Sequence, residues 1–304
     1  MRVNKLAVGS WQLAVKDEGE ASSLFSANCL LPTANFSLPT ANFFPLIIGH
    51  RGAAAVAPEN TLVSFERALK DGADGIEFDV RLAKDGVPVV IHDATLLRTG
   101  RRRGRVASFS SAELSEVDTG TWFNLRHPAL ARPDYAQATI PTLARVFEAM
   151  AEKEALLYVE MKCDRQDGPA LAAQVVKVIH SYSLAGRVVV ESFDLEAIAE
   201  VKRLDSGIRT AALFDRKLSR PAPSMPRLIE RAIRTGAEEI ALHRSLAVRR
   251  TIERARGRGL ETVVWTVDKT AWVGRAFKSG VRAIITNNPA LLCARRALLL
   301  DGGL

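Results

Sequence analysis

From Leu46 onward, short apolar and β-branched runs alternate with stretches whose apolar residues return every three or four positions. The runs are 46–49, 75–79, 155–160, 187–192, 208–213, 239–242, 261–266 and 282–286. Helical periodicity occupies 61–71, 168–182, 195–204, 227–235 and 246–258 between them. Strand alternating with helix predicts a parallel sheet. Eight such units between residues 46 and 304 match the length of a closed (β/α)8 barrel, roughly 250 residues.

A ninth strand-like run, 88–92, follows the second across Asp85-Gly86, a strong two-residue hairpin signal. A two-residue loop at 85–86 pairs residues whose numbers sum to 171. His92 is then expected opposite Asp79, at the barrel's C-terminal mouth. Residues 94–140 carry no strong period and read as an insertion between the second strand and its helix, which starts near Pro141-Thr142. An insertion on that face of a barrel contributes to substrate access.

Residues 1–45 break the rhythm. Arg2 and Lys5 precede a mildly apolar stretch, but Ser10 and Gln12 interrupt it, Lys16-Asp17-Glu18 closes it, and no small-residue cleavage site follows. The expectation is a poorly ordered leader, not a secretion signal, and a cytoplasmic protein. Its tandem heptad, LPTANFS at 31–37 and LPTANFF at 38–44, is too short and too proline-interrupted to build a solenoid. No run of about 18 apolar residues suggests a membrane span. Cys29, Cys163 and Cys293 are far apart and odd in number, which excludes a zinc ribbon or a disulfide framework.

The formal charge of +8 admits an anionic partner. Five arginines fall between Arg98 and Arg105, with no nucleic-acid-binding motif and no interleaved aromatics. A solvated loop or a phosphate-attracting rim both fit.

Barrel chemistry gathers at the C-terminal strand ends. Glu77 and Asp79, two apart on a strand, share a face, and Glu160 ends the next barrel strand. Inward carboxylates repel unless a cation neutralises them. Three carboxylates without thiols favour Mg2+ or Ca2+. Pairing with Arg51 and Lys162 as a structural ion network is the alternative. His50 and His92, at neighbouring strand ends, suit acid and base work near neutral pH, and Arg51 and Lys162 suit a phosphate. His243 either lines the mouth or is structural, whereas His127 and His180 read as surface residues.

Taken in order, HRG (50–52), PENT (58–61), GADGIEFDV (72–80), DGVPVVIHD (85–93), EMK (160–162), ESF (191–193), WTV (265–267) and TNNP (286–289) resemble the glycerophosphodiester phosphodiesterases. LLRTG, WF and IPTL in the insertion extend the likeness, which spans residue 46 to about 292. The resemblance implies a TIM barrel of the phosphatidylinositol-phospholipase-C type. It also implies one divalent cation and hydrolysis of a glycerophosphodiester to sn-glycerol 3-phosphate and an alcohol. His50 and His92 match the catalytic histidines, Glu77, Asp79 and Glu160 the metal ligands, and Arg51 and Lys162 the phosphate contacts. Phe193 and Trp265 are candidate pocket residues.

Two positions depart from the family pattern, which often has Asp where Asn287 or Asn288 stands and Asn where Asp268 stands. Neither is expected to touch the chemistry, though both could alter the alcohol pocket. The implied partner is a small-molecule substrate, with no nucleic acid and no stable membrane insertion. A lysophospholipase D on the same barrel, a binding module and a nucleic-acid binder remain rival readings.

Overall fold

A computed structural model describes residues 44–163, 166–216 and 224–302. The chain begins with β1 (Leu46–His50), α1 (Leu62–Lys70), β2 (Gly75–Leu82) and β3 (Pro88–Val90). The insertion holds the short helices α2 (Ser111–Ser115) and α3 (Thr121–Arg126) and leads to α4 (Leu143–Met150). Strands and helices then alternate as β4 (Leu156–Met161), α5 (Gly168–Ser181), β5 (Val188–Ser192), α6 (Leu195–Leu204), β6 (Arg209–Phe214) and α7 (Met225–Arg234). The chain closes with β7 (Glu239–His243), α8 (Arg249–Arg256), β8 (Glu261–Trp265), α9 (Ala271–Ser279), β9 (Ala283–Thr286) and α10 (Pro289–Asp301).

Every strand but β3 pairs in parallel with its neighbours, and β9 and β2 both pair with β1, so eight strands close a (β/α)8 TIM barrel. Period-2 alternation divides each strand between two cores. Ile48, Tyr158, Val189, Ala211, Leu213, Ala241, Val263, Ala283 and Ile285 fill the interior. Residues of opposite parity, such as Ile47, Phe78, Val159, Val190 and Ile240, pack outward against the helices. Helix starts coincide with motif residues: Thr61 caps α1, Asp194 caps α6 and Asn288 caps α10, with Pro289 in the first turn.

The hairpin register differs by one from the sequence expectation. Val80 pairs with Val90, Arg81 with Val89 and Leu82 with Pro88, so partners sum to 170. Gly86, at φ 77°, takes the left-handed position of a three-residue loop, 84–86, which displaces the return strand by one residue. Ile91, not His92, therefore meets Asp79, through its N–H to the Asp79 carbonyl at 2.9 Å. The placement at the mouth survives. β1 follows one edge of β2 up to Glu77 and stops at His50, and β3 descends the same edge to Val80. Two strand ends thus converge on β2, one bringing His50 and the other His92.

The insertion lacks sequence periodicity because its helices have five and six residues, too few to repeat a pattern. The Ser110–Glu113 capping box starts α2. Leu96, Val106, Leu114, Val117 and Ile140 pack on Val89 and Ile91 of the hairpin. The Tyr135 hydroxyl donates to the Val56 carbonyl at 3.1 Å, which ties the insertion to the loop after β1. Of the residues read as leader, 1–43 lie outside those described. Phe44 stacks on Phe277 at 4.5 Å, and Arg296 donates to the Pro45 carbonyl.

The base of the barrel is sealed by charge. Glu239, fully buried, pairs with Arg209 at 2.6 Å and Arg282 at 3.1 Å, and accepts the Tyr158 hydroxyl at 3.0 Å. Removing one member of a buried ion pair strands the other. Glu239→Gln should lower stability by about 3 to 5 kcal/mol in urea unfolding, whereas Tyr158→Phe should cost about 1 kcal/mol. A Glu239→Gln loss under about 1 kcal/mol would show that the plug is not a structural element.

Candidate active site at the barrel mouth

Register sets the height of each polar residue inside the barrel. Asp79, Glu160 and Glu191 are level across β2, β4 and β5, and His50 is level with Glu77 one layer below. Glu77, Asp79 and Glu160 are all buried and offer carboxylate oxygens within 4.8 Å of one another. Arg51 Nε lies 3.1 Å from Asp79, and Lys162 Nζ lies 3.1 Å from Asp79 and 2.6 Å from Glu160. The ion network weighed against a metal site is therefore present. It leaves the acids incompletely matched, because Glu77 Oε1 and Glu191 Oε2 are buried without a hydrogen-bond partner among the described residues.

The electrostatics follow from that imbalance. Burial drives Glu77 well above the ordinary carboxylate range, helped by Asp79 and Glu160. Burial also raises Glu191, with Glu77 and Glu160 adding to it, and lifts Glu160 to about 7 against the pull of Lys162. Asp79 alone is held low, since Arg51 and Lys162 outweigh its burial. An all-oxygen, buried and undercompensated donor set fits a hard divalent cation. Glu77, Asp79 and Glu160 are the residues that would hold it.

The HRG and PENT motifs arrange the cationic wall. Arg51 adopts φ 52°, and its backbone N–H donates to Glu77 Oε2 at 2.9 Å. Gly52 follows at φ 84°, where a Cβ would meet Ser64 of α1 within 2.6 Å. Asn60 donates to Asp79 Oδ2 at 2.8 Å and accepts from the Asp79 N–H at 3.2 Å, so it fixes that carboxylate's orientation. Glu59 accepts from Arg51 at 2.8 Å and from Arg98 at 2.6 Å.

Each histidine has one ring nitrogen engaged. His50 Nδ1 lies 2.7 Å from Asn287 Oδ1, and His92 Nδ1 lies 2.6 Å from Asp93 Oδ1. Burial, with Arg51 close by, pushes His50 down to about 4. Burial also lowers His92, against the opposing pull of Asp79 and Asp93. Arg98 leaves the arginine run to bridge Glu59 and Asp93, and its hydrogen bond holds Asp93 near 2. The run thus divides, with Arg98 in the site network and Arg101, Arg102, Arg103 and Arg105 exposed.

Phe193 and Trp265 meet edge to face at 5.5 Å. With His50, Lys162, Glu191 and Leu213 they line a cavity of about 90 Å³. His243 packs on Trp265 at 5.4 Å, with Ser245 Oγ 2.8 Å from its Nδ1, so it belongs to the mouth. His180 is exposed against Asp205. His127 is half-buried on Phe123, not a free surface residue.

The departure at Asn287 does reach the predicted chemistry, through His50, and Asp268 reaches it through Asn287. Sequence reasoning gave no role to Glu59, Asn60, Asp93 or Glu191, and linked Asn287 only to the alcohol pocket. The signal available was their position at C-terminal strand ends.

Known proteins agree with this architecture. A model of the glycerophosphoryl diester phosphodiesterase family matches residues 50–291. A glycerophosphodiester phosphodiesterase of Caldanaerobacter subterraneus subsp. tengcongensis is 33% identical over 247 residues, 81% of this chain and 96% of that one. One from Bacillus subtilis is 31% identical over 253 residues, 81% of this chain and 84% of that one. Among solved structures, an Oleispira antarctica phosphodiesterase in complex with the product sn-glycerol-3-phosphate matches with a TM-score of 0.74 at 26% identity. That match covers 84% of this chain and 98% of the other. The chain belongs to the glycerophosphoryl diester phosphodiesterase family and is an enzyme of that type. Among the described residues, no helix is long and apolar enough to cross a membrane.

The depressed His50 has a consequence for stability. Unfolded, its ring titrates near 6.5; folded, near 4. Between those values the unfolded chain binds a proton that the folded chain refuses, so stability falls as pH drops through that window. His50→Ala should lose less melting temperature than wild type between pH 7 and pH 4. Parallel losses in the two proteins would show that the buried ring is not the cause.

Proposed function

We propose that this chain hydrolyses glycerophosphodiesters to sn-glycerol 3-phosphate and an alcohol, by two-histidine acid–base catalysis with one divalent cation, Mg2+ or Ca2+. The observation that carries the reading is the buried acid cluster flanked by two histidines, each with one nitrogen committed to an orienting partner. Glu77, Asp79 and Glu160 would hold the cation, which would supply Lewis acidity toward the phosphate. Arg51 and Lys162 stabilise the charge that builds on the phosphoryl oxygens.

The different partners of the histidines divide their roles. His50 is backed by a neutral amide, sits beside Arg51 and is held unprotonated. It takes the proton from the attacking hydroxyl, whether the neighbouring glycerol hydroxyl or water. His92 is backed by the Asp93 carboxylate, which favours an imidazolium. It delivers a proton to the departing alkoxide. The small cavity lined by Phe193, Trp265 and Leu213 together with His50, Lys162 and Glu191 combines apolar and charged groups, which suits a glycerol moiety. Leu97, Leu125 and Leu130 are exposed on the insertion. They favour, as a second reading, a lysophospholipase D-type substrate, in which the glycerol moiety carries an acyl chain.

The test is phosphomonoester release, glycerol 3-phosphate from a panel of glycerophosphodiesters and acylglycerol 3-phosphate from lysophospholipids, with Mg2+, Ca2+ or chelator. Metal-dependent release from glycerophosphocholine is expected. Release from lysophospholipids alone would establish the second reading, and release from neither would overturn both. His50→Ala and His92→Ala should each lose about 10² to 10⁴ in rate. The double variant should lose less than the product of the two losses, because both groups act in one turnover. A p-nitrophenyl leaving group should rescue His92→Ala and not His50→Ala. Rescue of His50→Ala alone would reverse the assignment.

A further inference from the structure

Asp268 and Asn287 stand behind His50 and do not line the cavity. Asn287 donates its amide Nδ2 to Asp268 Oδ2 at 2.9 Å. Asp268 Oδ1 accepts from the Asn287 backbone N–H at 2.8 Å and from the Thr286 hydroxyl at 3.0 Å. The same Thr286 oxygen accepts from the Asn288 N–H at 3.1 Å, at the start of α10. The loop that ends β9 therefore holds Asp268 through both of its oxygens.

This arrangement decides where one proton sits. An ionised carboxylate only accepts hydrogen bonds, so the NH2 end of Asn287 must face Asp268. Its carbonyl oxygen must then face His50 Nδ1, at 2.7 Å. An amide oxygen also only accepts, so Nδ1 must carry the hydrogen. In a neutral ring that leaves the lone pair on Nε2, the nitrogen on the side of Glu77 at 3.8 Å.

The geometry points to Asp268 as a positioning residue: acting through the Asn287 amide, it locks His50 into the tautomer in which Nε2 can accept a proton. This rests on the reading of His50 as the base. The tautomer can nevertheless be measured without turnover.

The relay requires one acid and one amide at 268 and 287, and the reverse order satisfies the same bonds. In Asp268→Asn alone, the new side chain keeps an oxygen toward the backbone N–H of Asn287 and the Thr286 hydroxyl. It then turns an NH2 toward the NH2 of Asn287. The Asn287 amide relieves that clash by flipping, which offers a donor to His50 Nδ1 and moves the ring hydrogen to Nε2. Asn287→Asp alone sets two carboxylates against each other. With both substitutions together, the carboxylate at 287 accepts from His50 Nδ1 and from the amide at 268, and the lock is restored.

The experiment uses the full chain, 15N-labelled, with the His50 ring signals identified by their loss in His50→Ala. The wild type should show the hydrogen on Nδ1. Asp268→Asn should shift it toward Nε2 and lower kcat at least about tenfold with KM little changed, since a wrong histidine tautomer can cost as much as about 10⁴-fold in a serine protease. Asn287→Asp should also lose turnover. The double substitution should restore the Nδ1 hydrogen and regain at least about tenfold over the weaker single variant.

Should Asp268→Asn fail to fold, Asn287→Ala takes its place. It keeps Asp268 bonded to the loop and should leave His50 in mixed tautomers. Wild-type tautomer and turnover in folded Asp268→Asn, or a double variant no better than the single ones, would overturn the relay. A purely structural pair would lower and restore the melting temperature without moving the His50 hydrogen. An inactive wild type with the Nδ1 hydrogen in place would count against the hydrolase reading and leave the relay standing.

Discussion

The mouth of this barrel is organised around the cost of burying negative charge. Glu77, Asp79 and Glu160 sit within 4.8 Å of one another with almost no access to water. Two ionised carboxylates at that distance repel by about 3 kcal/mol at an effective dielectric near 20. Arg51 and Lys162 answer for Asp79 and part of Glu160. Among the described residues, Glu77 and Glu191 each keep an oxygen without a hydrogen-bond partner, and both are pushed toward the protonated form. A divalent cation would resolve the imbalance in one step. The surrounding structure, from the Arg51 backbone N–H on Glu77 to the Asn60 clamp on Asp79, holds the acids where a cation would meet them.

A second layer of charge links the histidines to that centre. Arg51, Glu59, Arg98, Asp93 and His92 form a continuous run of ion pairs across the mouth, with Arg98 contributed by the insertion. On the far side, Asp268 and Asn287 reach His50. One histidine thus rests on a carboxylate and the other on an amide, which makes two otherwise equivalent rings chemically unequal. That asymmetry arises where β1 and β3 end on one edge of β2.

How much of this was legible in the chain depended on whether a feature was periodic. Eight strands and the sharing of a face by Glu77 and Asp79 follow from period 2. The level placement of Asp79 and Glu160 comes from the pairing of β2 with β4. The hairpin register was misread by one because Asp85-Gly86 fits both a two-residue and a three-residue loop, and only the backbone at Gly86 separates them. Glu59, Asp93 and Asn287 were visible as strand-end polar residues. Asp93 backs the adjacent His92, whereas the roles of Glu59 and Asn287 depend on side chains 8 to 237 positions away, which no local pattern encodes. The insertion stayed opaque for a related reason: its helices are shorter than the repeat that would announce them.

The central claim is that the acid cluster exists to hold a cation. Calorimetric titration of the metal-free protein with Ca2+ or Mg2+, run near pH 7 in two buffers of different ionisation enthalpy, tests it most directly. The account predicts one binding event with protons released, because burial pushes Glu77, Glu160 and Glu191 toward the protonated form and a bound cation would favour their ionised form. It also predicts that Glu77→Gln loses most of that affinity. Absence of binding by the folded wild type, or equal binding by Glu77→Gln, would contradict it.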